Sequence, residues 1–316
     1  MPRAEYKKAL VTGGAGFIGS HIVQRLVDLG IEVSVIDDLS MGRIENLDKG
    51  VRFFHGNILD SGLLKRSLHG VEVVFHNAAR VSIRNSFDAI YADAETNVMG
   101  TVNLLKESGL AGIKKFIYAS SMAVYSEGKT AVLGEEHPKR PASPYGVSKL
   151  AGEMYTERMA AHYGFQNIVL RYFNTFGPKQ TLTPYVGVIT IFINNLLAGK
   201  APVIYGDGSQ VRDFIFVEDI AQANIIAMQS LTNNCAVNVG TGKGTSVAEI
   251  ARMLIEKINP GIEPEYARAP EGEPKDSIAL VSTAKDLLGF EAKFALKDKI
   301  DTVIEWNRIS AEKRVN

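Results

Sequence analysis

Residues 12–20 read TGGAGFIGS. The stretch lies between a β-branched run, ALVT, and a helix-period run, HIVQRLVDLG, and it fits two glycine patterns. Gly13, Gly16 and Gly19 satisfy G-x-x-G-x-x-G, while Gly14, Gly16 and Gly19 satisfy G-x-G-x-x-G. Glycines at these spacings permit a tight turn, let backbone N–H groups approach a pyrophosphate at a helix N-terminus, and allow helix and strand to pack closely. The strand and helix on either side give the motif the context it needs.

Outward from that turn, short apolar runs alternate with longer helix-period segments. VSVIDD is followed by a loop, VRFFHG by LLKRSLHG, VEVVFHNAA by TVNLLKESGL, KKFIYASS by YGVSKLAGEMYTERMAAHYG, and then comes NIVLRYFN. Continuous apolar strands alternating with helices read as parallel strands joined by right-handed crossovers. The fold class expected is α/β: a doubly wound Rossmann-like parallel sheet with a smaller α/β substrate-binding lobe. Past about Phe176 the rhythm changes to a Pro-bearing loop, GPKQTLTPYVG, a helix-like stretch, a hairpin-like VIYGDGSQVRDFIFVEDI and the proline-bearing ARAPEGEPKDS. The division expected assigns residues 1–175 plus about 213–241 to the dinucleotide domain. Residues 176–212 and 242–316 form the lobe.

Composition narrows the partners. The 316 residues carry 35 basic and 35 acidic side chains, so no basic field gathers nucleic acid or anionic lipid. The single cysteine, Cys235, excludes an intramolecular disulfide and a Cys-based metal cluster, and the six histidines show no ligand-like spacing. No metal is expected, and a reducing cytoplasm fits. MPRAEYKK enters a strand-like run without a signal-peptide apolar core, and VGVITIFINNLLAG is interrupted by Asn194 and Asn195, so neither secretion nor a membrane span is expected.

VSVIDD ends in Asp37, about 20 residues beyond the glycine turn, where an acidic side chain accepts hydrogen bonds from an adenosine ribose. That favours NAD over NADP, whose 2′-phosphate Asp37 would repel. Arg43 offers a 2′-phosphate partner on paper but reads as a solvated loop charge.

YGVSK puts Tyr145 and Lys149 four residues apart, on one face of a helix. A free phenol has a pKa of about 10, so a tyrosine base near neutrality needs a shift of roughly three units, or about 4 kcal/mol. A nearby ammonium and an oxidised nicotinamide both stabilise phenolate. KKFIYASS ends where doubly wound sheets place ligands, so Ser121 can share a substrate hydroxyl with Tyr145, while Ser120 satisfies backbone groups and Tyr125 packs.

TGGAGFIGSH, FHNAA, ETNVMGTVNLL, ASSMAVY, SPYGVSK, LRYFNTFGP and YGDGSQVRDFIFVEDI occur in the order seen in extended short-chain dehydrogenases/reductases. The chain resembles the UDP-hexose 4-epimerases of that family over nearly its whole length. The resemblance implies Ser121, Tyr145 and Lys149 as catalytic residues. Gly13, Gly16, Phe17, Ile18, Asp37, Asn57, Ile58, Ala78, Asn97, Tyr145, Lys149, Tyr172 and Phe173 are implied as the lining of NAD. It further implies Ser121, Asn174, Val188, Ile189, Val203, Tyr205, Arg212 and Ser277 as contacts of a UDP-sugar, and a homodimer built from two helices per subunit. The activity implied is 4-epimerisation of UDP-glucose/UDP-galactose, or their N-acetyl forms, through a transient 4-keto sugar.

The pattern bends in places. Pro270 stands where similar epimerases carry a phosphate-binding arginine, with Arg268 nearby as a substitute; Asn57 replaces a more usual aspartate; Ser126 replaces a common glycine. Ser277 aligns with the position beside the sugar 2-substituent, and its small side chain leaves room for an N-acetyl group. Met122 and Ala123 precede Val124-Tyr125 where dehydratases and decarboxylases place an acid, which disfavours elimination. A UDP-glucuronate 4-epimerase, a reductase with exchangeable NAD(P)H and a non-catalytic dinucleotide sensor stay open at this level.

Overall fold

Along each central strand successive side chains point to opposite faces, and both faces are apolar. The computed structural model describes residues 5–125, 131–183, 186–268 and 276–315. Its main sheet contains β1 (Lys8–Thr12), β2 (Glu32–Asp37), β3 (Arg52–His55), β4 (Val73–His76), β5 (Lys115–Ser121), β6 (Gln166–Tyr172) and β7 (Cys235–Val239). These seven strands are all parallel, in the order β3-β2-β1-β4-β5-β6-β7.

Ala9, Val11, Val73, Phe75, Ile117, Ile168 and Leu170 pack in one core with residues of the helices Phe17–Asp28, Val217–Gln229 and Ser282–Leu288. Leu10, Val74, Phe116, Tyr118 and Val169 pack in another with residues of Ser61–Ser67, Thr101–Leu110 and Pro144–Tyr163. The sheet is therefore doubly wound, as the alternating runs imply. The strand order reverses between β1 and β4, so their C-terminal ends diverge into a crevice.

A further core joins Phe176, Ile189, Phe192, Ile193, Phe214 and Phe216 to Ile250, Leu254, Ile300 and Val303. Its sheet centres on Val211–Phe216, which runs antiparallel to Gly244–Ser246 and parallel to Asp276–Ala279 and Asn174–Phe176. Asp276–Ala279 in turn pairs with Val132–Leu133.

The hairpin read from VIYGDGSQVRDFIFVEDI does not form. Val203–Tyr205 pairs in parallel with Glu265–Ala267, and Val211–Phe216 enters the other sheet. The turn between them is taken up elsewhere. The Gly208 and Gln210 carbonyls accept the Ala248 and Val247 N–H groups at 3.0 and 3.1 Å, satisfying two orphan donors at the start of the helix Val247–Ile258. Among the described residues no helix is long and apolar enough to cross a membrane, and no group of three or more His, Cys, Asp or Glu gathers as a metal site.

Candidate active site

Gly13 turns the chain out of β1 at φ +67°, a conformation that favours glycine. A Cβ there would stand 2.7 Å from the Ala78 nitrogen, and one on Gly19 would collide with the Gly13 carbonyl. The turn is thus closed on the protein side by the segment that follows β4. The helix Phe17–Asp28 begins at Gly16 with no side-chain cap, which leaves its first N–H groups to an anion. Phe17 and Ile18 pack from that first turn toward the lobe core around Phe176 and Phe192.

Asp37, at the end of β2, accepts the Ala15 N–H at 3.0 Å and the Leu39 N–H at 2.9 Å. Burial raises its pKa, and those backbone donors oppose the rise. Two carboxylate oxygens have capacity for further donors. Asp38 beside it is held below the usual carboxylate range, against burial, by hydrogen bonds from Ser40 and Asn57. Asn57 donates to Asp38 at 3.1 Å and accepts Leu59 N–H at 3.0 Å, so its amide fixes the loop. Ile58 is buried next to Gly100.

Asn77, absent from the sequence reading, lies next to Ala78 at this crevice with both side-chain polar atoms buried and without a partner. An orphaned buried amide is costly unless something outside the protein binds it. A glycine cradle, an uncapped helix N-terminus, paired acids at the ribose end and an open amide together fit a dinucleotide without a 2′-phosphate.

The helix Pro144–Tyr163 carries the candidate base. Ser143 caps it by accepting the Gly146 N–H at 3.1 Å, Pro144 fits the first turn, and Gly164 ends it in the left-handed region. The elements therefore bring Ser121, at the end of β5, close enough to Tyr145 for its hydroxyl to act on the phenol. Ser121 Oγ also accepts the Ala123 N–H at 3.2 Å.

Burial pushes the Tyr145 phenol up to about 12; the Ser121 hydrogen bond pulls it down and the Asp93 carboxylate raises it further. Lys149 Nζ donates to the Ala119 carbonyl at 2.9 Å and lies 5.2 Å from the Tyr118 ring centroid. Burial brings its pKa down to about 8, opposed by Asp93 and Glu153. Burial therefore dominates at the phenol, and the Lys149 ammonium is held against the Ala119 carbonyl and the Tyr118 ring.

Asn97 sits in a π-helical turn, Glu95–Gly100, between the helices Ile90–Ala94 and Thr101–Leu110. Its Oδ1 accepts Arg80 N–H at 2.8 Å, and its Nδ2 reaches the Arg80 carbonyl, Asp93 Oδ2 and Ser148 Oγ at 3.0, 2.9 and 3.2 Å.

Ser120 differs from expectation. Its hydroxyl donates to Glu153 Oε1 at 2.5 Å, and Glu153 also takes Arg171 Nε at 2.9 Å and Nη2 at 2.7 Å. Arg171 continues to the Tyr125 hydroxyl at 2.9 Å, which donates to Asn238 Oδ1 at 2.6 Å. Tyr125 is packed, as read, but its hydroxyl belongs to this network behind the site.

Tyr172 and Phe173 are buried, with the Tyr172 hydroxyl paired to Asn224 and Phe173 N–H donated to the Val239 carbonyl at 3.1 Å. Asn174 Nδ2 donates to the Asp213 carbonyl at 3.4 Å. Arg212 and Ser277 are register partners on adjacent strands, and the Ser277 hydroxyl is buried without a partner. Val188 starts the helix Val188–Leu197, whereas the Ile189 side chain is in the lobe core. Val203 and Tyr205 bound a short strand, with Arg84 from the other side of the crevice 5.2 Å from the Tyr205 ring centroid. Arg268 follows the strand Glu265–Ala267; Ser126 and Pro270 lie outside the described residues.

Asp93 and Glu153 were also missed. The signal was present as spacing: Asp93 precedes Asn97 by four residues, and Glu153 follows Lys149 by four.

A glycine turn at the switch point of this sheet order, opposite a Tyr-x-x-x-Lys helix, defines the class: a dinucleotide enzyme of the extended short-chain dehydrogenase/reductase type. Residues 9–240 match the NAD dependent epimerase/dehydratase family, and the chain belongs to it. It is an enzyme whose cofactor is NAD. UDP-glucose 4-epimerase of Mycolicibacterium smegmatis is 35% identical over 308 residues, covering 95% of this chain and 98% of that protein. The structure of UDP-glucose 4-epimerase from Thermotoga maritima with UDP-glucose superposes with a TM-score of 0.92 at 39% identity, covering 96% of this chain and 99% of the other. UDP-N-acetylglucosamine 4-epimerase from Methanobrevibacter ruminantium, in complex with UDP-N-acetylmuramic acid, gives a TM-score of 0.92 at 35% identity, covering 98% and 100%.

Proposed function

We propose that the protein is a UDP-hexose 4-epimerase that interconverts UDP-glucose and UDP-galactose and accepts their N-acetyl forms. The observation that carries the reading is the juxtaposition of Ser121 and Tyr145 at the C-terminal edge of β5, with Met122 rather than an acid next to Ser121. Elimination chemistry needs a proton donor in that place, and a thioether cannot transfer one.

Tyr145 removes the proton from the sugar 4-hydroxyl while Ser121 orients it, and the same phenol returns the proton after the 4-keto sugar has turned over in the pocket. Bound NAD supplies a reversible two-electron acceptor at C4 and, when oxidised, a positive charge that favours phenolate. Gly13, Gly16, Phe17, Ile18, Asp37, Asn57, Ile58, Asn77, Ala78, Asn97, Lys149, Tyr172 and Phe173 hold that cofactor in this reading. Arg212 binds the diphosphate, for which a guanidinium offers two parallel donors. Asn174, Val188, Ile189, Val203 and Tyr205 complete the nucleotide-sugar contacts. Firm binding at the remote diphosphate lets the sugar end stay loose enough to rotate.

The N-acetyl reading rests on the small side chain of Ser277, level with Arg212 on the neighbouring strand. Residues 1–175 with about 213–241 serve NAD, and 176–212 with 242–316 serve the nucleotide sugar. The separate apolar core centred on Phe192 and Ile300 supports a second lobe, although Phe214 and Phe216, on the NAD side of that division, belong to the same core. Exposed Tyr91 and Met99 on one helical stretch and Val147, Met154 and Tyr155 on the helix packed beside it support a homodimer through these two helices. A cytoplasmic setting suits the single cysteine.

The test incubates purified protein with UDP-glucose, UDP-galactose, their N-acetyl forms and UDP-glucuronate, without added reductant, and follows anomeric protons by NMR. Interconversion of the hexoses is expected, with Tyr145→Phe inactive and Ser277→Tyr selectively losing the N-acetyl substrates. Loss of water or carbon dioxide from any substrate would overturn epimerisation. Full activity of Tyr145→Phe would remove the base, and unchanged N-acetyl turnover in Ser277→Tyr would remove the size argument.

A further inference from the structure

Tyr145, Lys149 and Glu153 are spaced four residues apart on the helix Pro144–Tyr163, so they form one stripe along it. The stripe lies against the end of β5. The helix approaches that strand closely: a Cβ on Gly152 would strike the Tyr118 hydroxyl, and one on Gly146, the neighbour of Tyr145, would strike the Ala123 carbonyl in the turn Met122–Val124 that Ser121 caps. Such contact sets the spacing between helix and strand. It has no direction, so sliding and rotation of the helix must be opposed by directional bonds. Lys149 Nζ supplies one, donating to the Ala119 carbonyl at 2.9 Å, and Glu153 supplies the others.

Glu153 Oε1 accepts the Ser120 hydroxyl at 2.5 Å and Arg171 Nε at 2.9 Å, while Oε2 accepts Arg171 Nη2 at 2.7 Å. Ser120 and Arg171 are register partners on β5 and β6, and the next pair along is Ser121 and Tyr172. One carboxylate therefore holds both members of a strand row, and the row beyond it carries the residues read at the sugar hydroxyl and at NAD. Arg171 is held from its other side as well. Its Nη1 donates to the Tyr125 hydroxyl at 2.9 Å and the Glu135 carbonyl at 3.3 Å, and Tyr125 donates to Asn238 Oδ1 on β7 at 2.6 Å, so the bonds run across three adjacent strands. Arg171 and Glu153 are 3% and 8% exposed, which keeps water from loosening the pair. A buried ion pair adds little stability over apolar residues of the same volume, and its best-attested use is to fix register.

We propose that Glu153 is a positioning residue: by gripping Ser120 and Arg171 at once it fixes the helix against two adjacent strands and so sets the Tyr145 phenol opposite Ser121. The proposal rests on the reading of Ser121 and Tyr145 as the reacting pair. Glu153 sits two helical turns from Tyr145 and acts on it only through the helix. Without the grip the helix still packs on β5 through Gly146 and Gly152, but its register along the strand is held by Lys149 alone.

The experiment compares the NAD-bound holoenzyme as wild type, as Ser120→Ala, which cuts the grip on β5 and leaves the ion pair intact, and as Glu153→Leu/Arg171→Met, which removes the pair without stranding a charge. It reads kcat and KM for UDP-glucose per NAD-loaded site, together with the 13Cζ resonance of Tyr145 in tyrosine-labelled protein, assigned as the one lost in Tyr145→Phe. Both variants are expected to lower kcat about tenfold or more with KM changed less than about twofold, because a small displacement of the phenol costs rate rather than affinity. In both, the Tyr145 resonance moves. A role confined to stability would leave kcat per loaded site and the resonance as in wild type. A kcat within about twofold of wild type in Ser120→Ala, or an unmoved resonance there, overturns the proposal, and that variant decides should the double variant fail to fold. The resonance is read without substrate, so it decides the proposal even if no UDP-sugar is turned over, a result that would refute the epimerase reading instead.

Discussion

Glu153→Ala removes a carboxylate that receives Arg171 through two bonds, at 2.9 and 2.7 Å, and Ser120 through a third at 2.5 Å. The guanidinium left behind is 3% exposed and keeps only the Tyr125 hydroxyl at 2.9 Å and the Glu135 carbonyl at 3.3 Å. Leaving one charge of a buried pair without its partner costs about 3–5 kcal/mol, because neither water nor another carboxylate can take the vacated place. With an unfolding entropy of about 2.1 cal/mol/K per residue, about 4 kcal/mol corresponds to a fall in Tm of about 6 °C for a chain of this length. Arg171→Met is expected to cost a similar amount, since it strands Glu153. The double variant Glu153→Leu/Arg171→Met is expected to lie within about 1–2 kcal/mol of wild type, because replacing both charges removes the desolvation penalty along with the attraction. Equilibrium urea unfolding followed by circular dichroism, with calorimetry for Tm, measures all three. Single variants costing under about 1 kcal/mol, or a double variant costing the sum of the two, would refute the reasoning.

Three further outcomes follow from the structure. His76 is buried between the Thr12 and Thr101 hydroxyls, each at 2.8 Å, and burial lowers its pKa to about 3. The unfolded chain therefore binds a proton at His76 that the native state refuses between about pH 6.5 and 3, so stability falls as pH drops through that window, by up to about 4–5 kcal/mol from this residue. In His76→Gln the acid side of the stability profile should be flatter, and an unchanged slope would contradict the assignment. Gly19→Ala should reduce NAD binding at least about tenfold, measured by cofactor retained after gel filtration, since its Cβ meets the Gly13 carbonyl; full retention would contradict the cradle. Ser121→Ala should lower kcat about 10²–10⁴-fold with KM little changed, because its bond to the reacting hydroxyl strengthens only as the proton moves; a raised KM with kcat intact would make it a binding residue instead.

The main sheet was legible in the sequence because its cause is local. Strands buried on both faces leave apolar runs such as ALVT and KKFIYA, and the glycine turn carries its own spacing. The second lobe was less legible, since its sheet joins strands as short as Val132–Leu133 and Asn174–Phe176 to Val211–Phe216 and Asp276–Ala279. Such pieces have too few residues for a period, and their pairing depends on contacts far apart in the chain. VIYGDGSQVRDF therefore resembles a hairpin although its two strands enter different sheets. Ser121, Tyr145 and Lys149 could be singled out from spacing, and the structure brings Ser121 to Tyr145. Asp93 and Glu153 show a four-residue spacing to Asn97 and Lys149, but what distinguishes them and Arg171 from surface charges is burial, for Glu153 and Arg171 against each other, which only the meeting of strands and helices sets. Asn77 was invisible for a related reason: an amide after a strand is ordinary until its polar atoms prove to have no partner.

In the proposed reaction the sugar is oxidised and re-reduced at C4 within one closed site. UDP-glucose carrying deuterium at C4, incubated with the purified protein and no added reductant or cofactor, tests it directly by NMR and mass spectrometry. UDP-galactose in which the deuterium stays at C4 is the expected product. Product whose C4 deuterium has been exchanged for solvent hydrogen, or a product lacking water or carbon dioxide relative to the substrate, would contradict it.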